Sequence, residues 1–273
     1  MPELPEVENA RCYLLQAGLS GRTFTGANIG WAKTVRTPSL EEFVLGHTGG
    51  TVQAVDRRGK YILLPLRRGG SRAGLTLIVH LGMTGGLRLQ PKSQLEPRIL
   101  RHTFFLDDGR DLRFVDGRKF GKLWLASDPA EVLPPLGPDL LGDKFTVDTL
   151  ARSLTGRDAP VKALLLERSV AAGIGNLYAD ESLFLAEAHP LRPASELSGE
   201  EISRLRDGIV AALSAAVALY DKSRAEGCPD PPTELNAWTI PRKAGDPCPR
   251  CGRSMDAIRV RGRGTCFCPG CQG

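Results

Sequence analysis

The sequence predicts a multidomain α+β protein with a β-rich N-terminal part, a helical middle part and a small cysteine-rich C-terminal unit. Three observations carry this prediction. Short β-rich runs dominate to about residue 127, apolar residues then recur at helical spacing, and five of the seven cysteines lie in the last 26 residues. At 273 residues the chain is long enough for two or three domains, each with a buried core.

The N-terminal part begins with a predicted helix from about Pro5 to Leu19, because apolar residues there repeat at helical spacing. Six strands are predicted after it, and they fall at residues 51–55, 61–66, 75–81, 102–106, 111–115 and 122–126. The run DDGR (107–110) predicts a hairpin turn between two of them. The predicted strands do not alternate with long helices, so we expect an antiparallel sandwich or barrel.

A proline- and glycine-rich stretch, LPPLGPDLLGD (133–143), predicts a domain boundary. Helices are predicted beyond it at residues 146–154, 161–169 and 176–188, followed by a long helix after residues 197–201. Ser198 and Glu201 have the spacing of a capping box at the start of that long helix. Residues 225–236 are loop-like in composition, and residues 240–273 form the third unit.

Composition is that of an ordinary globular protein, with 41% hydrophobic and 25% charged residues. A net charge of +5 is compatible with a polyanionic partner but is weak evidence alone. No apolar run approaches a membrane span, and the N-terminus lacks the basic and apolar regions of a signal peptide. We therefore expect a cytoplasmic protein without a membrane partner.

The opening octet MPELPEVE admits two interpretations. Proline and carboxylates are favoured at the start of a helix, which accounts for Pro5. Pro2 is not explained in this way, because it becomes the first residue if Met1 is removed. A free N-terminal proline is a secondary amine, partly unprotonated near neutral pH, and such an amine can act as a nucleophile. The octet alone leaves helix start and catalytic terminus open.

The C-terminal cysteines have the spacing of a four-cysteine zinc ribbon. Cys248 and Cys251 form one CxxC pair, and Cys268 and Cys271 form a second after sixteen intervening residues. Disulfides are rare in a reducing cytosol, so the cluster indicates metal. Four thiolates leave no open coordination position, and we therefore predict one structural zinc ion. Cys266 is expected to be a packed or free thiol.

The hairpin between the two cysteine pairs, residues 253–267, carries four arginines and one aspartate. Its loop is suited to contact phosphate. A merely solvated basic hairpin is the other interpretation, and spacing alone does not decide between the two.

Four separated stretches, namely MPELPEVE, RRGKYILL (57–64), GIGNLYADESLF (173–184) and RGRGTCFCPGCQ (261–272), together resemble the formamidopyrimidine-DNA glycosylase and endonuclease VIII family. The match to ELPEVE and HLGMTGGL (80–87) is closer to the formamidopyrimidine branch. The resemblance implies a β-sandwich catalytic domain at 1–133, a linker at 134–143, a helix–two-turns–helix DNA-binding domain at 144–236 and a zinc ribbon at 237–273.

The resemblance also implies a mechanism. Pro2 would be the nucleophile that forms a Schiff base with the damaged nucleotide, and Glu3 would shuttle protons beside it. Lys60 would contact phosphate near the lesion, and Arg263 would grip phosphate from the ribbon. These four residues are the predicted catalytic set. GIGN (173–176) would present N–H groups to an anion at a helix start.

Further positions match DNA contacts of the family. Met83, Arg118 and Phe120 match residues that fill the space left when the damaged nucleotide is extruded from the duplex. Lys119 stands where the family commonly has an arginine in this turn. Lysine keeps the positive charge but not the bidentate geometry of arginine. The remaining predicted DNA contacts are Glu6, His80, His102, Lys162 and Asn176.

By this resemblance the protein is a monomeric DNA glycosylase and AP lyase that acts at the nucleoid on duplex DNA with oxidised purines or abasic sites. Residues 221–248 depart from the family pattern, so the lesion preference stays open and hydantoins are an alternative. A non-catalytic damage-binding protein on the same fold is a second hypothesis, and a zinc-ribbon module fused to an unrelated enzyme is a third. The third leaves the opening octet unexplained.

Overall fold

The structure is a computed structural model that describes residues 1–69, 74–225 and 239–273. The chain divides into two compact units. The first contains Met1–Pro2 and Glu6–Pro134, and the second contains Glu3–Pro5, Pro135–Ala225 and the described C-terminal residues. Within the described ranges, no helix has the length and apolar character needed to cross a membrane.

The first unit is built on strands and carries two helices. Helix α1 is Leu4–Gln16, and its first two residues are counted with the second unit. The other elements are β1 (Phe24–Ile29), β2 (Val35–Thr37), α2 (Leu40–His47), β3 (Thr51–Val52), β4 (Asp56–Arg58), β5 (Tyr61–Arg67), β6 (Leu75–His80), β7 (Gly85–Pro91), β8 (Leu100–Leu106), β9 (Arg110–Asp116) and β10 (Lys122–Ala126).

Two sheets form a sandwich around one core. The four-stranded sheet has the order β1-β8-β9-β7, and all its pairs are antiparallel. The six-stranded sheet has the order β2-β10-β6-β5-β3, with β4 paired to β5, and only the β10–β2 pair is parallel. Buried residues of both sheets, such as Phe104 and Leu64, belong to one hydrophobic cluster. The sequence left sandwich and barrel open, and the structure is a sandwich.

The second unit contains helices and a two-stranded ribbon. Its elements are α3 (Val147–Leu154), α4 (Val161–Leu165), α5 (Asn176–Leu185), α6 (Gly199–Ala225), β11 (Asp256–Val260) and β12 (Arg263–Phe267). Helices α5 and α6 pack closely, and Gly208 permits this because an added Cβ there would lie 2.7 Å from the carbonyl oxygen of Ser182. The capping box at the start of α6 is confirmed, because the Ser198 and Glu201 side chains exchange hydrogen bonds with each other's backbone N–H.

Several predicted elements change in extent. The predicted strand 51–55 is paired only at Thr51–Val52, and the predicted helix 161–169 ends at Leu165. Strands β1, β2, β4 and β7 and helix α2 were missed. Helix α2 carried a visible signal, since Ser39 and Glu42 form a capping box. The predicted hairpin at 107–110 is confirmed by the antiparallel β8–β9 pair.

The predicted linker packs against the helical unit. Leu140 is fully buried in that unit's hydrophobic cluster, and the Gly137 N–H donates to the carbonyl oxygen of Arg168 at 2.9 Å. Residues 137–143 are therefore an ordered part of the second unit. The domain bounds drawn from the resemblance stay a prediction, and the boundary at 236/237 lies outside the described residues.

Candidate functional site

The four ribbon cysteines converge on one point. Their Sγ atoms all lie within 4.8 Å of one another, with Cys248 and Cys271 at 3.9 Å and Cys251 and Cys268 at 3.4 Å. Thiolates bound tetrahedrally at about 2.3 Å from one ion lie about 3.8 Å apart, so the cluster fits zinc. The set confirms the four predicted ligands and the single structural zinc ion. Cys266 is not part of the set and pairs with Ala257 across the ribbon.

Glu3 is buried in the second unit, with 2% of its surface exposed. Its Oε2 accepts hydrogen bonds from the N–H groups of Gly175 at 2.6 Å and Tyr178 at 3.3 Å, and its Oε1 accepts from Leu177 at 3.1 Å. These donors lie at the N-terminal end of α5, where the first N–H groups of a helix point away from the carbonyl groups of that helix. The carboxylate is held in one orientation, directly next to Pro2 in the chain.

This contact identifies an anion at the helix start that GIGN leads into. The N–H groups at this helix start do hold an anion, but the anion is the carboxylate of Glu3. The sequence alone did not show this contact, because Glu3 lies 172 residues before Gly175. Gly173 is needed for the approach, because its φ is +114° and an added Cβ would lie 2.8 Å from the side chain of Leu4.

Lys162 is completely buried, whereas the resemblance made it a DNA contact. Its Nζ lies 2.6 Å from Oδ1 of Asp180 and donates to the Thr265 hydroxyl at 2.5 Å and to the Gly264 carbonyl at 3.3 Å. Burial lowers the pKa of Lys162, and the Asp180 carboxylate opposes that shift. Arg242 contacts the same carboxylate at 3.0 Å. The lysine has no exposed surface here, so its placement indicates that it holds the ribbon.

Asn176 and Arg263 meet at the same strand of the ribbon. The Asn176 side-chain amide donates to the carbonyl oxygen of Gly264 at 2.8 Å, next to Arg263. Arg263 itself is exposed at the start of β12, directly after the turn formed by Arg261 and Gly262. The second unit therefore presents the exposed guanidinium of Arg263 next to a backbone carbonyl that Lys162 and Asn176 both bind.

Lys60 lies in the two-residue turn between β4 and β5 and is half-buried. The neighbouring Arg57 joins this hairpin to α1, because its Nε lies 2.7 Å from Oε2 of Glu8 and it also donates to the carbonyl of Gly59. Burial opposes ionisation of Glu8, but hydrogen bonds from Arg11 and Arg57 outweigh it and lower the pKa of Glu8 to about 2.

The three residues predicted to fill the space of an extruded nucleotide, together with Lys119, occupy two turns of the first unit. Met83 lies between β6 and β7, and Arg118, Lys119 and Phe120 lie between β9 and β10; all four are exposed. The Arg118 guanidinium lies 5.1 Å from the centre of the Phe120 ring. Lys119 has a φ of +59°, and its Nζ lies 4.1 Å from the ring centre of Trp31. The turn is thus held on both sides.

Three other predicted contacts have different settings. His80 is half-buried, and its Nδ1 accepts a hydrogen bond from the N–H of Gly82, which shapes the Met83 turn. Glu6 is half-buried in the first turn of α1. His102 is 1% exposed and stacks on Phe114, and burial lowers its pKa to about 4. This placement favours a core role for His102 over the predicted DNA contact.

Sequence reasoning missed the buried charges that position these groups. Asp180 and Arg57 carried no spacing signal, because their partners Lys162 and Glu8 are distant in the chain. The link from Asp116 to the Met83 turn was hidden in the same way, because Thr84 lies 32 residues before it. Trp31 carried none either, since an isolated tryptophan ahead of a turn is common. In each case only the folded structure brings the partners together.

Three family models match the chain in succession. The formamidopyrimidine-DNA glycosylase N-terminal domain matches residues 1–123, the H2TH domain of the same enzyme matches 136–226, and the zinc finger found in FPG and IleRS matches 245–273. The H2TH match confirms the predicted helix–two-turns–helix domain type. The zinc-finger match agrees with the cysteine geometry.

Whole-chain relatives carry the same name. The formamidopyrimidine-DNA glycosylases of Roseiflexus sp. (strain RS-1) and Chloroflexus aurantiacus are each 40% identical to this chain, covering 100% of it and 100% and 98% of their own lengths. A Lactococcus lactis Fpg solved with DNA containing N7-benzyl-Fapy-dG has a TM-score of 0.87 at 32% identity, with 99% of both chains covered. The MutM (Fpg) protein of Thermus thermophilus has a TM-score of 0.82 at 37% identity, covering 99% of this chain and 98% of its own. The chain belongs to the formamidopyrimidine-DNA glycosylase family and is a DNA glycosylase.

Proposed function

We propose that this protein acts in base-excision repair by removing oxidised purines from duplex DNA and then cleaving the strand. Pro2 supplies the nucleophile, and elimination follows on the 3′ side and then the 5′ side of the sugar. The substrates are 8-oxoguanine and formamidopyrimidines. The single observation that carries the proposal is the fixed carboxylate of Glu3 next to Pro2.

A proton shuttle must be fixed in orientation and must be able to accept a proton. Three backbone N–H groups orient the Glu3 carboxylate. A carboxylate that served only to start the helix would not need to be buried. The geometry therefore supports a proton-transfer role for Glu3.

The steps balance without an added oxidant or reductant. The Pro2 nitrogen bonds to C1′ of the damaged nucleotide, the glycosidic bond breaks, and the base leaves with a proton. Ring opening gives an iminium ion, which draws electrons from the C2′–H bond. Loss of that proton expels the 3′ phosphate, and a second elimination expels the 5′ phosphate. Each proton passes to or from a carboxylate such as Glu3.

Cationic side chains serve the phosphates in this proposal. Arg263 is exposed at the ribbon turn and can bind a phosphate with two parallel N–H groups. Lys60, in the β4–β5 turn, contacts phosphate near the lesion in this proposal. The buried Lys162 and the amide of Asn176 act indirectly, by fixing the strand that carries Arg263. Zinc holds the ribbon and takes no part in the reaction.

The substrate class rests on the chain's similarity to proteins solved with damaged DNA. Lactococcus lactis Fpg was solved with FAPY-dG DNA at 32% identity, and MutM with carbocyclic 8-oxo-G DNA at 31% identity. Exposed Met83 and Phe120 are suited to enter the stack when a base is extruded. Residues 221–248 depart from the family pattern, and the structure describes residues 221–225 and 239–248 of this segment.

The nucleophile is tested by controlling the Pro2 nitrogen. Residues added before Met1 keep this nitrogen in a peptide bond, where it is not nucleophilic; the same residues added after Gly273 are the control. We expect borohydride to trap a covalent adduct with lesion duplex for the control and for protein without Met1, and not for the blocked protein. A Pro2→Gly variant should lose trapping as well. Normal trapping by the blocked protein would contradict the proposal.

The substrate is tested by a cleavage panel of defined lesions and opposing bases. Faster excision of 8-oxoguanine and formamidopyrimidines than of hydantoins or oxidised pyrimidines is expected. A reversed order would overturn the substrate assignment while leaving the chemistry intact. Tight lesion binding with no cleavage by protein without Met1 would instead favour the non-catalytic damage-binding hypothesis.

A further inference from the structure

The two turns that carry Met83 and Phe120 meet at one buried carboxylate. Asp116 is the last residue of β9, and only 1% of its surface is exposed. The side chains presented by the turns are open to solvent, with 38% of Met83 and 49% of Phe120 exposed. The arrangement places exposed apolar groups on a backbone with a buried polar support.

Asp116 makes hydrogen bonds to both turns. Its Oδ1 accepts from the Thr84 hydroxyl at 2.6 Å and from the Arg118 N–H at 3.1 Å, and its Oδ2 accepts from the Gly121 N–H at 2.7 Å. The Arg118 N–H also lies 3.1 Å from the Thr84 oxygen. Thr84 follows Met83 directly, and Arg118 and Gly121 enclose the second turn. One carboxylate therefore joins the two turns.

The backbones of the turns are also in close contact. An added Cβ at Gly82, whose φ is +68°, would lie 2.6 Å from the carbonyl carbon of Phe120. An added Cβ at Gly121 would lie 2.3 Å from the Phe114 ring and 3.3 Å from Oδ2 of Asp116. Neither turn can shift far without losing the hydrogen bonds of Asp116.

We infer that Asp116 is a positioning residue that fixes Met83, Arg118 and Phe120 as one preorganised unit for entry into the DNA stack. The inference rests on the proposed function of these three side chains. The turns are already ordered when the protein folds. The conformational entropy of ordering them is therefore not lost again in the step in which the nucleotide is extruded. Asp116 does not touch DNA in this role and acts only through the two turns.

The test compares Asp116→Asn with a matched control, Asp111→Asn. Asp111 is also a buried carboxylate on β9, but it pairs with Arg113 at 3.6 Å and supports neither turn. The amide of asparagine offers one oxygen in place of two and turns an NH₂ group toward an N–H donor. The readout is the single-turnover excision rate for one lesion in a duplex, divided by the rate for the same lesion in a single strand.

A duplex lesion must be extruded and its space filled, whereas a single-stranded lesion needs neither. For Asp116→Asn we expect this ratio to fall about 10- to 100-fold, the effect of a small misplacement of reacting groups. Asp111→Asn should leave the ratio unchanged. Thr84→Val should lower it in the same direction, and Thr84→Ser should restore it because the hydroxyl returns.

Two further variants separate this inference from the proposed function. If Met83→Ala and Phe120→Ala leave the ratio unchanged, the proposed role of these side chains fails. If they lower the ratio while Asp116→Asn and Thr84→Val do not, the role of Asp116 is overturned. Should Asp116→Asn fail to fold, Thr84→Val decides: a lowered ratio supports the inference, and an unchanged ratio contradicts it.

Discussion

The two units carry the exposed side chains that we propose contact DNA on different kinds of support. In the first unit, the Met83 and Phe120 turns continue from strands of a sandwich and share the Asp116 carboxylate. In the second, Arg263 lies on a two-stranded ribbon whose small apolar cluster includes Phe184 of α5. That ribbon depends on four thiolates and on the buried pair of Lys162 and Asp180.

The two supports differ in what destabilises them. A sandwich with a large apolar core can hold a turn with one buried carboxylate. A ribbon of this size cannot bury enough apolar surface alone, so metal and buried ion pairs must supply its order. Conditions that remove metal or break an ion pair should therefore disturb the Arg263 side and leave the Met83 side intact.

Removal of zinc should have the largest effect. Structural zinc contributes an apparent binding free energy of about 10–16 kcal/mol in zinc-finger peptides, so chelation should unfold residues 245–273. Hydrogen exchange read by peptide should show lost protection there and retained protection in β8 and β9. Zinc added back should restore it. Equal loss in both units would contradict the comparison.

The Lys162→Met substitution should have the next largest effect. It removes the lysine partner of Asp180, which keeps its ion pair with Arg242, and it removes one of the two side-chain donors to the Gly264 carbonyl. Breaking a buried ion pair costs about 3–5 kcal/mol. Urea denaturation should show the loss, and the exposed Lys144→Met is the control. The double variant Lys162→Met with Asp180→Leu should regain most of the stability. A single variant as stable as the wild type would show that the pair does not hold the ribbon.

The pH dependence of His102 tests the first unit. Its pKa is about 4 when folded, against an ordinary value of 6.5, so the unfolded chain binds the proton first as pH falls. Stability should therefore be lost between pH 6.5 and 4, by about 3 kcal/mol at most. In calorimetry, His102→Phe should reduce the fall in the free energy of unfolding between pH 6.5 and 4. Parallel curves for the two proteins would contradict the buried neutral histidine.

Asn176→Ala should have the smallest effect. It removes one hydrogen bond to the Gly264 carbonyl, which the more distant Lys162 Nζ still contacts. A single hydrogen bond of this kind contributes about 1 kcal/mol to unfolding. DNA affinity should fall without a change in its salt dependence, because no charge is lost. A reduced salt slope would mean that Asn176 acts on phosphate contacts more directly than the structure indicates.

Sequence spacing predicted what is encoded locally. The two CxxC pairs, the hairpin at 107–110 and the capping box of α6 each depend on residues within a few positions of one another. Strand β7 (Gly85–Pro91) was missed because it begins with two glycines and ends in proline, which are weak strand formers. The four-stretch resemblance supplied the order of the domains, which no local pattern carries.

The supports of the candidate site were beyond sequence reasoning for a physical reason. Glu3 meets Gly175 across 172 residues, and Thr84 meets Asp116 across 32. A buried carboxylate and its donors are recognisable only when the fold brings them together. For the same reason the sequence predicted an anion at GIGN but did not identify it as the carboxylate of Glu3.

The central claim is that the Pro2 nitrogen forms the covalent bond to DNA, and the most direct measurement is the location of the trapped adduct. Protein without Met1 is reacted with lesion duplex and borohydride, digested with nuclease and trypsin, and sequenced by mass spectrometry. We expect the sugar remnant on the nitrogen of Pro2, in the peptide PELPEVENAR (residues 2–11). A remnant on Lys60 or on any other lysine, with Pro2 unmodified, would contradict it.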